Sequence, residues 1–288
     1  MNIVKRLQQL AVSSRPISWI NTVFPFTVAF LATGGVLNTY FFVAAFYFLI
    51  PYNVLIYVVN DVFDYESDKH NPRKNSIEGG LLPPETHRFM LLSTAALNGL
   101  VLAYLLSFGE LAGNLVLLGC AAMALAYSLP VLRFKERPLI DSITSSLHFV
   151  GPMVYGLVLT GWDKKYWPYV LAFIAWGCAS HAFGAVQDIL ADRQANIHSI
   201  ATYFGARSTV RLAVGLYCLA VVCLAIAGWP AIVVGVPVLA YVYILLPYWA
   251  IYDNDAPTVN KAWKKFLVLN QVTGATVTIL LIVTKVMA

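Results

Sequence analysis

The sequence predicts an all-α integral membrane protein: about nine transmembrane helices in a bundle around a central cavity, capped by cytoplasmic loops. Three observations carry that prediction. Hydrophobic residues make up 59% of the 288-residue chain and charged residues only 11%, against roughly 25% charged in a typical soluble domain. Mean hydropathy is correspondingly high, at +0.71. The apolar residues fall in runs of about 20, each long enough to cross a bilayer as a helix. The basic residues crowd onto alternate connections, as the positive-inside rule requires of a polytopic protein.

The elements follow in order. Residues 1–16 read as an amphipathic cytoplasmic segment. No cleavable signal peptide is evident, because the first apolar run is too long for a signal core. The predicted spans are 17–36, 40–60, 88–107, 111–129, 141–160, 167–187, 209–227, 230–251 and 265–286. With the N-terminus in the cytoplasm, sixteen of the nineteen Lys and Arg residues fall on the cytoplasmic side, and only Lys164, Lys165 and Lys285 do not. The net charge of +5 is mostly this bias, so it gives no argument for nucleic-acid binding. The outer connections are short (Gly34–Asn38, Ser107–Glu110, Gly228–Pro230), whereas the cytoplasmic stretches 61–87 and 188–208 are long, and long loops in a compact protein are often functional. The chain 1–288 is thus a single polytopic domain, with those two stretches as its active-site loops. Cys120, Cys178, Cys218 and Cys223 lie inside spans without ligand spacing and read as small apolar packing residues.

Both long loops begin with an acidic cluster. The first is Asn60-Asp61-Val62-Phe63-Asp64-Tyr65-Glu66-Ser67-Asp68, and the second is Gln187-Asp188-Ile189-Leu190-Ala191-Asp192-Arg193-Gln194-Ala195-Asn196. Together they hold five of the nine Asp residues. Carboxylates beside a bilayer are costly unless they line a polar cavity or hold cations. Residues four apart share a helix face, so Asn60, Asp64 and Asp68 form one stripe, with Asp61 on its edge. Asp188, Asp192 and Asn196 form another. Clusters ending the second and the sixth span suggest a four-helix internal repeat. Two facing stripes of hard oxygen ligands suit Mg²⁺ bridging a diphosphate. Asn60, Arg73, Lys74, Arg133, Lys135 and Arg193, with Arg137 nearby, would complete the diphosphate site.

These motifs resemble the intramembrane UbiA-type prenyltransferases. Asn60-Asp61-x-x-Asp64-x-x-x-Asp68 is similar to the first signature of that family and Asp188-x-x-x-Asp192 to the second. Tyr127-Ser128-Leu129-Pro130, with Arg133-Phe134-Lys135 and Arg137-Pro138, looks like its loop after the fourth helix. Ser199-Ile200 leading to Phe204-Gly205 resembles the segment after the second signature. Within the family, Ser14-Arg15-Pro16-Ile17-Ser18-Trp19-Ile20-Asn21-Thr22, Asn71-Pro72-Arg73-Lys74, Ile77-Glu78-Gly79 and Phe183-Gly184-Ala185-Val186-Gln187-Asp188 look like the lycopene elongase branch of C50 carotenoid synthesis. The resemblance implies a UbiA-type bundle in the cell membrane, dimethylallyl diphosphate as donor and lycopene as acceptor. Enzymes that desaturate or cyclise carotenoids are the pathway partners it implies. Two positions depart from quinone-prenylating relatives. One is the run Arg73-Lys74-Asn75-Ser76-Ile77-Glu78-Gly79; the other is Asn196, which leaves the role of that residue open.

The expected chemistry is ionisation of the allylic diphosphate. Asp61, Asp64, Asp188 and Asp192 are the catalytic carboxylates, and Asn60, Asp61, Asp64, Asp68, Asp188 and Asp192 the metal ligands. The cation must be shielded from water, and aromatic faces near the mouth can stabilise it. Tyr57, Tyr65 and Tyr127 are pocket candidates of that kind, beside Tyr52 and Phe63. His148 and His181 are candidates for a base or for polar lining, and either also reads as a packing histidine. Asn53 lies deeper on nearly the same face as Asn60, where it orients substrate or bonds between helices. Glu66 faces away from the stripe, and Asp141 is expected to cap the fifth span. Two readings stay open beside this one: the same enzyme class acting on a quinone precursor or another isoprenoid, and an ion-coupled transporter. The acidic groups gather on one side and lack a paired Gly/Pro helix break, which argues against transport.

Overall fold

The computed structural model describes residues 2–69 and 81–287, and every regular element among them is helical. The helices are α1 (Ile3–Ser13), α2 (Ile20–Ala32), α3 (Thr39–Phe63), α4 (Pro84–Phe108), α5 (Leu111–Ser128), α6 (Ile140–Leu159), α7 (Trp167–Val186), α8 (Ile189–Gln194), α9 (Ile200–Ala227), α10 (Gly235–Leu245) and α11 (Asn260–Met287). Among the described residues, eight helical stretches are long and apolar enough to cross a membrane. The remaining expected span, 17–36, is the shorter α2, at 13 residues. At 1.5 Å per residue that is about 20 Å, less than the hydrocarbon thickness.

The stretch 188–208 is mostly helix rather than open loop. Ser199 starts α9 with a reciprocal capping box: its side chain accepts from Thr202 N, and the Thr202 hydroxyl accepts from Ser199 N. The short α8 occupies the residues before it.

The chain forms two compact units, Met1–Phe134 with Gly151–Gly161, and Lys135–Val150 with Trp162–Ala288. The first unit is built on an aromatic core that includes Phe26, Phe30, Phe41, Phe48, Tyr52 and Tyr155. Its helices are tied by polar bonds that lipid cannot replace. Thr22 Oγ1 donates to Phe48 O at 2.6 Å and accepts from Asn53 Nδ2 at 2.7 Å. Pro51 interrupts α3, and Ile50 before it leaves helical geometry (φ −119°, ψ −65°). Asn98 Nδ2 donates to the Pro51 carbonyl at 2.9 Å, which ties α4 to α3 beside the break. A π-type widening over Val54–Val58 follows and ends two residues before Asn60. Such widenings inside helices are frequent at functional sites.

The second unit packs α7 against α9 and the start of α6, around a core that includes Phe183, Tyr217, Tyr241 and Phe266. Gly177 lets α6 and α7 approach closely, since a Cβ there would collide with Ser146. Helix α9 is interrupted at Gly205 (φ 76°, ψ 163°), a region that is essentially glycine-only. The break exposes Ala206 N, which donates to Asp253 Oδ1 at 2.7 Å. Replacing Gly205 by alanine is expected to cost about 1–3 kcal/mol, read as a lower thermal midpoint in detergent. A thermal midpoint equal to that of the native protein would contradict the assigned backbone.

Candidate functional site

The first acidic motif sits where α3 ends. Asp64 leaves the helix (φ −98°, ψ 0°), and a single turn, Tyr65–Asp68, follows. The four-residue bonding nonetheless continues, with Asp64 N donating to Asn60 O at 2.9 Å and Asp68 N to Asp64 O at 2.8 Å. The expected stripe Asn60, Asp64, Asp68 is therefore kept in register. Asp61 is 1% exposed and Asp68 8%, which is deep for carboxylates.

Two arginines reach this motif from distant parts of the chain. Arg15 approaches Asp61 Oδ1 at 3.2 Å, with its guanidinium 4.4 Å from the Tyr57 ring centroid. Arg133 approaches Asp64 Oδ1 at 3.6 Å. Ser128 Oγ donates to Asn60 Oδ1 at 3.1 Å. Both arginines have left-handed backbones, φ 53° at Arg15 and φ 44° at Arg133. Such strain costs about 1–3 kcal/mol per residue and persists only where the surroundings enforce it. At Arg15 the enforcement is visible: Trp19 Nε1 donates to both Ser14 O and Ser14 Oγ at 3.1 Å, and Pro16 opens a 3₁₀ turn. At Arg133 the backbone N–H donates to Leu129 O at 2.8 Å. The sequence places Arg15 among the topology charges and in the Ser14–Thr22 resemblance, without assigning it to the acidic site. The signal that could have found it is the Ser14-Arg15-Pro16-x-x-Trp19 pattern ahead of an unusually short helix.

The second motif repeats the local backbone of the first. Asp188 also leaves the helix (φ −98°, ψ −6°), and Asp192 N donates to Asp188 O at 2.8 Å. Asp188 thus corresponds to Asp64, and Asp192 to Asp68. The match supports the internal repeat suspected from the sequence. Asn196 takes φ 55°, and Ile197 N donates to Asp192 O at 2.8 Å. This is the left-handed closure of a helix C-terminus, and it gives Asn196 a structural role. Arg193 is engaged with Asp253 Oδ2 at 2.7 Å and with Thr202 O at 3.3 Å, so it braces α8 within its unit. Gln187 accepts from Asn260 Nδ2 at 2.6 Å and fixes the approach to Asp188.

The other candidates divide by environment. Asn53 is fully buried and donates to Thr22, Phe48 and Leu49, which is the helix-bonding alternative. Tyr65 meets His87 edge-on at 5.4 Å and Lys69 at 4.9 Å. Glu66 is 82% exposed and pairs with Lys69 at 2.8 Å, as its outward position implied. Tyr127 is half-buried beside Ser128, and Lys135 is half-buried two residues after Arg133. His148 is 3% exposed in α6. Asp141 lies in the first turn of α6, one residue inside its start, and is not its N-cap. It accepts from Ser142 N at 2.6 Å and from Ile200 N at 2.7 Å. Arg73 and Lys74 lie outside the described residues.

Among the described residues, no three His, Cys, Asp or Glu side chains converge as a ready metal cluster. The donor chemistry nevertheless fits Mg²⁺. Asn60, Asp61 and Asp64 offer only hard oxygen ligands within five residues, two of them anionic. Mg²⁺ takes one or two carboxylates and fills its remaining positions with phosphate oxygens and water.

Residues 22–283 match the model of the UbiA prenyltransferase family. The chain is 44% identical over 282 residues to a lycopene elongase/hydratase of Corynebacterium glutamicum, covering 97% of this chain and 98% of that one. It is 44% identical over 276 residues to a C50 β-cyclic carotenoids biosynthesis protein of a Dietzia species, covering 94% of this chain and 64% of the relative. Among solved structures, a UbiA homologue of Archaeoglobus fulgidus bound to GPP and Mg²⁺ superposes with a TM-score of 0.74 at 20% identity, over 95% of this chain and 99% of that one.

Proposed function

The chain belongs to the UbiA prenyltransferase family, and on that premise we propose that it transfers the dimethylallyl group of dimethylallyl diphosphate to each end of lycopene, giving C45 and then C50 acyclic carotenoids. The observation that carries this reading is the first acidic motif: Asn60, Asp61 and Asp64 at the end of an apolar helix, bonded to Ser128, Arg15 and Arg133. The choice of acceptor is supported by the near full-length identity to a relative named for lycopene.

Asn60, Asp61, Asp64 and Asp68 would hold Mg²⁺ at the first motif, and Asp188 and Asp192 would offer carboxylate ligands of the same kind at the second. When bound, it would neutralise charge developing on the leaving diphosphate. Arg133 and Lys135 supply cationic donors to the same diphosphate. Arg15 holds the buried Asp61 carboxylate in place through their 3.2 Å contact. The aromatic residues Tyr57, Tyr65 and Tyr127 present ring faces to the allylic cation. The terminal double bond of lycopene attacks C1 of the dimethylallyl group as the C1–O bond breaks.

An apolar acceptor suits the interior. Among the described residues, no Lys or Arg is buried, whereas an aromatic acid acceptor would call for a buried cation. The charge bias of the connections supports a cytoplasmic N-terminus and acidic motifs facing the cytoplasm from the cell membrane. Expression in lycopene-accumulating bacteria tests the reading by pigment mass. New C45 and C50 species are expected. Unchanged lycopene, with the protein present in the membrane, would leave only a transferase for another acceptor.

A further inference from the structure

Two arginines near the start of α9 are held as a pair. Arg207 and Arg211 lie four residues apart, so they share a face just past the Gly205 break. Each stacks on a ring from the connection after α10. The Arg207 guanidinium lies 4.7 Å from the Tyr252 ring centroid, and that of Arg211 lies 5.1 Å from the Trp249 centroid. Each also donates to a backbone carbonyl of that connection: Arg207 Nη2 to Ala250 O at 3.4 Å, and Arg211 Nε to Trp249 O at 3.3 Å. Consecutive carbonyls thus hold two guanidiniums side by side.

The protein does not balance this charge. Among the described residues neither arginine is paired with a carboxylate. Asp253, on the same connection, already gives Oδ1 to Ala206 N and Oδ2 to Arg193, both at 2.7 Å. Like charges four residues apart on a helix repel, and a bound anion would remove that cost. Each guanidinium spends one N–H on its carbonyl and keeps others in the fork geometry that matches a phosphate. Phe204, Arg207, Tyr252, Asp253 and Asn254 line a cavity of about 450 Å³ at this place.

The surroundings say which phosphate fits. Arg211, Gly215, Leu219, Val222 and Ile226 form one exposed stripe along α9. A Cβ at Gly215 would meet nothing within 4 Å, so the stripe is open there. Helix α10 packs against α9, and its exposed Val236, Leu239 and Tyr243 lead to Leu246 and Trp249. Long apolar surface therefore begins where the two guanidiniums stand. Basic clusters flanked by aromatic rings at the end of a span suit lipid headgroups.

We propose that Arg207 and Arg211 bind the phosphate of an anionic membrane lipid, whose acyl chains lie along the exposed stripes of α9 and α10. A soluble phosphate would use the guanidiniums but none of the apolar surface. The test titrates the purified full-length protein in detergent with phosphatidylglycerol, phosphatidylcholine or inorganic phosphate. Bound lipid is counted by native mass spectrometry, with thermal midpoints as a fold control. The native protein is expected to retain phosphatidylglycerol over phosphatidylcholine, and millimolar phosphate is expected not to displace it. Each arginine at an anionic lipid surface is worth about fivefold in affinity. The double variant Arg207→Gln with Arg211→Gln is therefore expected to bind phosphatidylglycerol roughly 30-fold more weakly. R211Q alone, at the more exposed position, is expected to lose about fivefold and serves if the double variant does not fold. Lys164→Gln with Lys165→Gln removes the same charge before α7 and is expected to leave the affinity unchanged. Equal retention of the two lipids, native affinity in the folded arginine variants, an equal loss in the lysine variant, or displacement by phosphate would each overturn the proposal.

Discussion

Replacing Asp64 by alanine is expected to lower prenyl transfer about 10³-fold with little loss of stability. The activity loss follows from position. Asp64 is the first residue of the break after α3, its carboxylate lies 3.6 Å from the Arg133 guanidinium, and Asn60 and Asp61 precede it in the same turn. Removing one group that stabilises developing charge costs roughly 10²–10³ in rate, and this substitution also removes an anionic metal donor. The stability cost is small because Arg133 is 27% exposed and regains water once its partner is gone. Asp188, with the same backbone in the second motif, is expected to respond in the same way. Diphosphate release and thermal unfolding of D64A and D188A, measured on the same preparations, check both halves of the expectation. A D188A variant with native activity would show that only the first motif acts.

Arg15 is expected to be nearly as sensitive, for a different reason. Asp61 has no exposed side-chain surface, and Arg15 stands 3.2 Å away with a strained backbone and Tyr57 beneath it. Truncating one partner of a buried ion pair costs about 3–5 kcal/mol, because the other charge stays behind. Arg15→Met should therefore lose both activity and several kcal/mol of stability. Arg15→Lys should rescue neither fully, since an ammonium cannot reproduce the planar stacking. Adding Asp61→Asn to Arg15→Met removes the stranded charge, so most of the stability should return while transfer stays below a few per cent of native. This double variant separates folding from function. Recovery of transfer along with stability would show that the pair is structural only.

The parts of this protein legible in its sequence were those written as local patterns. Runs of apolar residues gave the spans, and four-residue spacing gave the acidic stripes, which the bonds Asp68 to Asp64 and Asp192 to Asp188 preserve. What was not legible depends on partners far apart in the chain. Arg15 meets Asp61 across 46 residues, and Arg193 turns to Asp253 across 60. No spacing rule signals either pairing. Asn196 had an unassigned role because a left-handed helix cap and a ligand position carry the same residue type. Asp141 was expected only as a cap, since nothing local announces its bond to Ile200, 59 residues on. The short α2 was overestimated because apolar residues continue past Ala32, where the chain has already turned at Gly34.

The central claim is that the Asn60–Asp68 motif drives transfer of a dimethylallyl group to lycopene. The most direct test is a single-turnover assay on the purified protein in lipid nanodiscs, with isotopically labelled dimethylallyl diphosphate, lycopene and Mg²⁺, and with D64A in parallel. The account predicts label in C45 and C50 carotenoids with the native protein, none with D64A, and none when Mg²⁺ is chelated. Label that enters carotenoid equally with D64A, or never enters it with the native protein, would contradict the account.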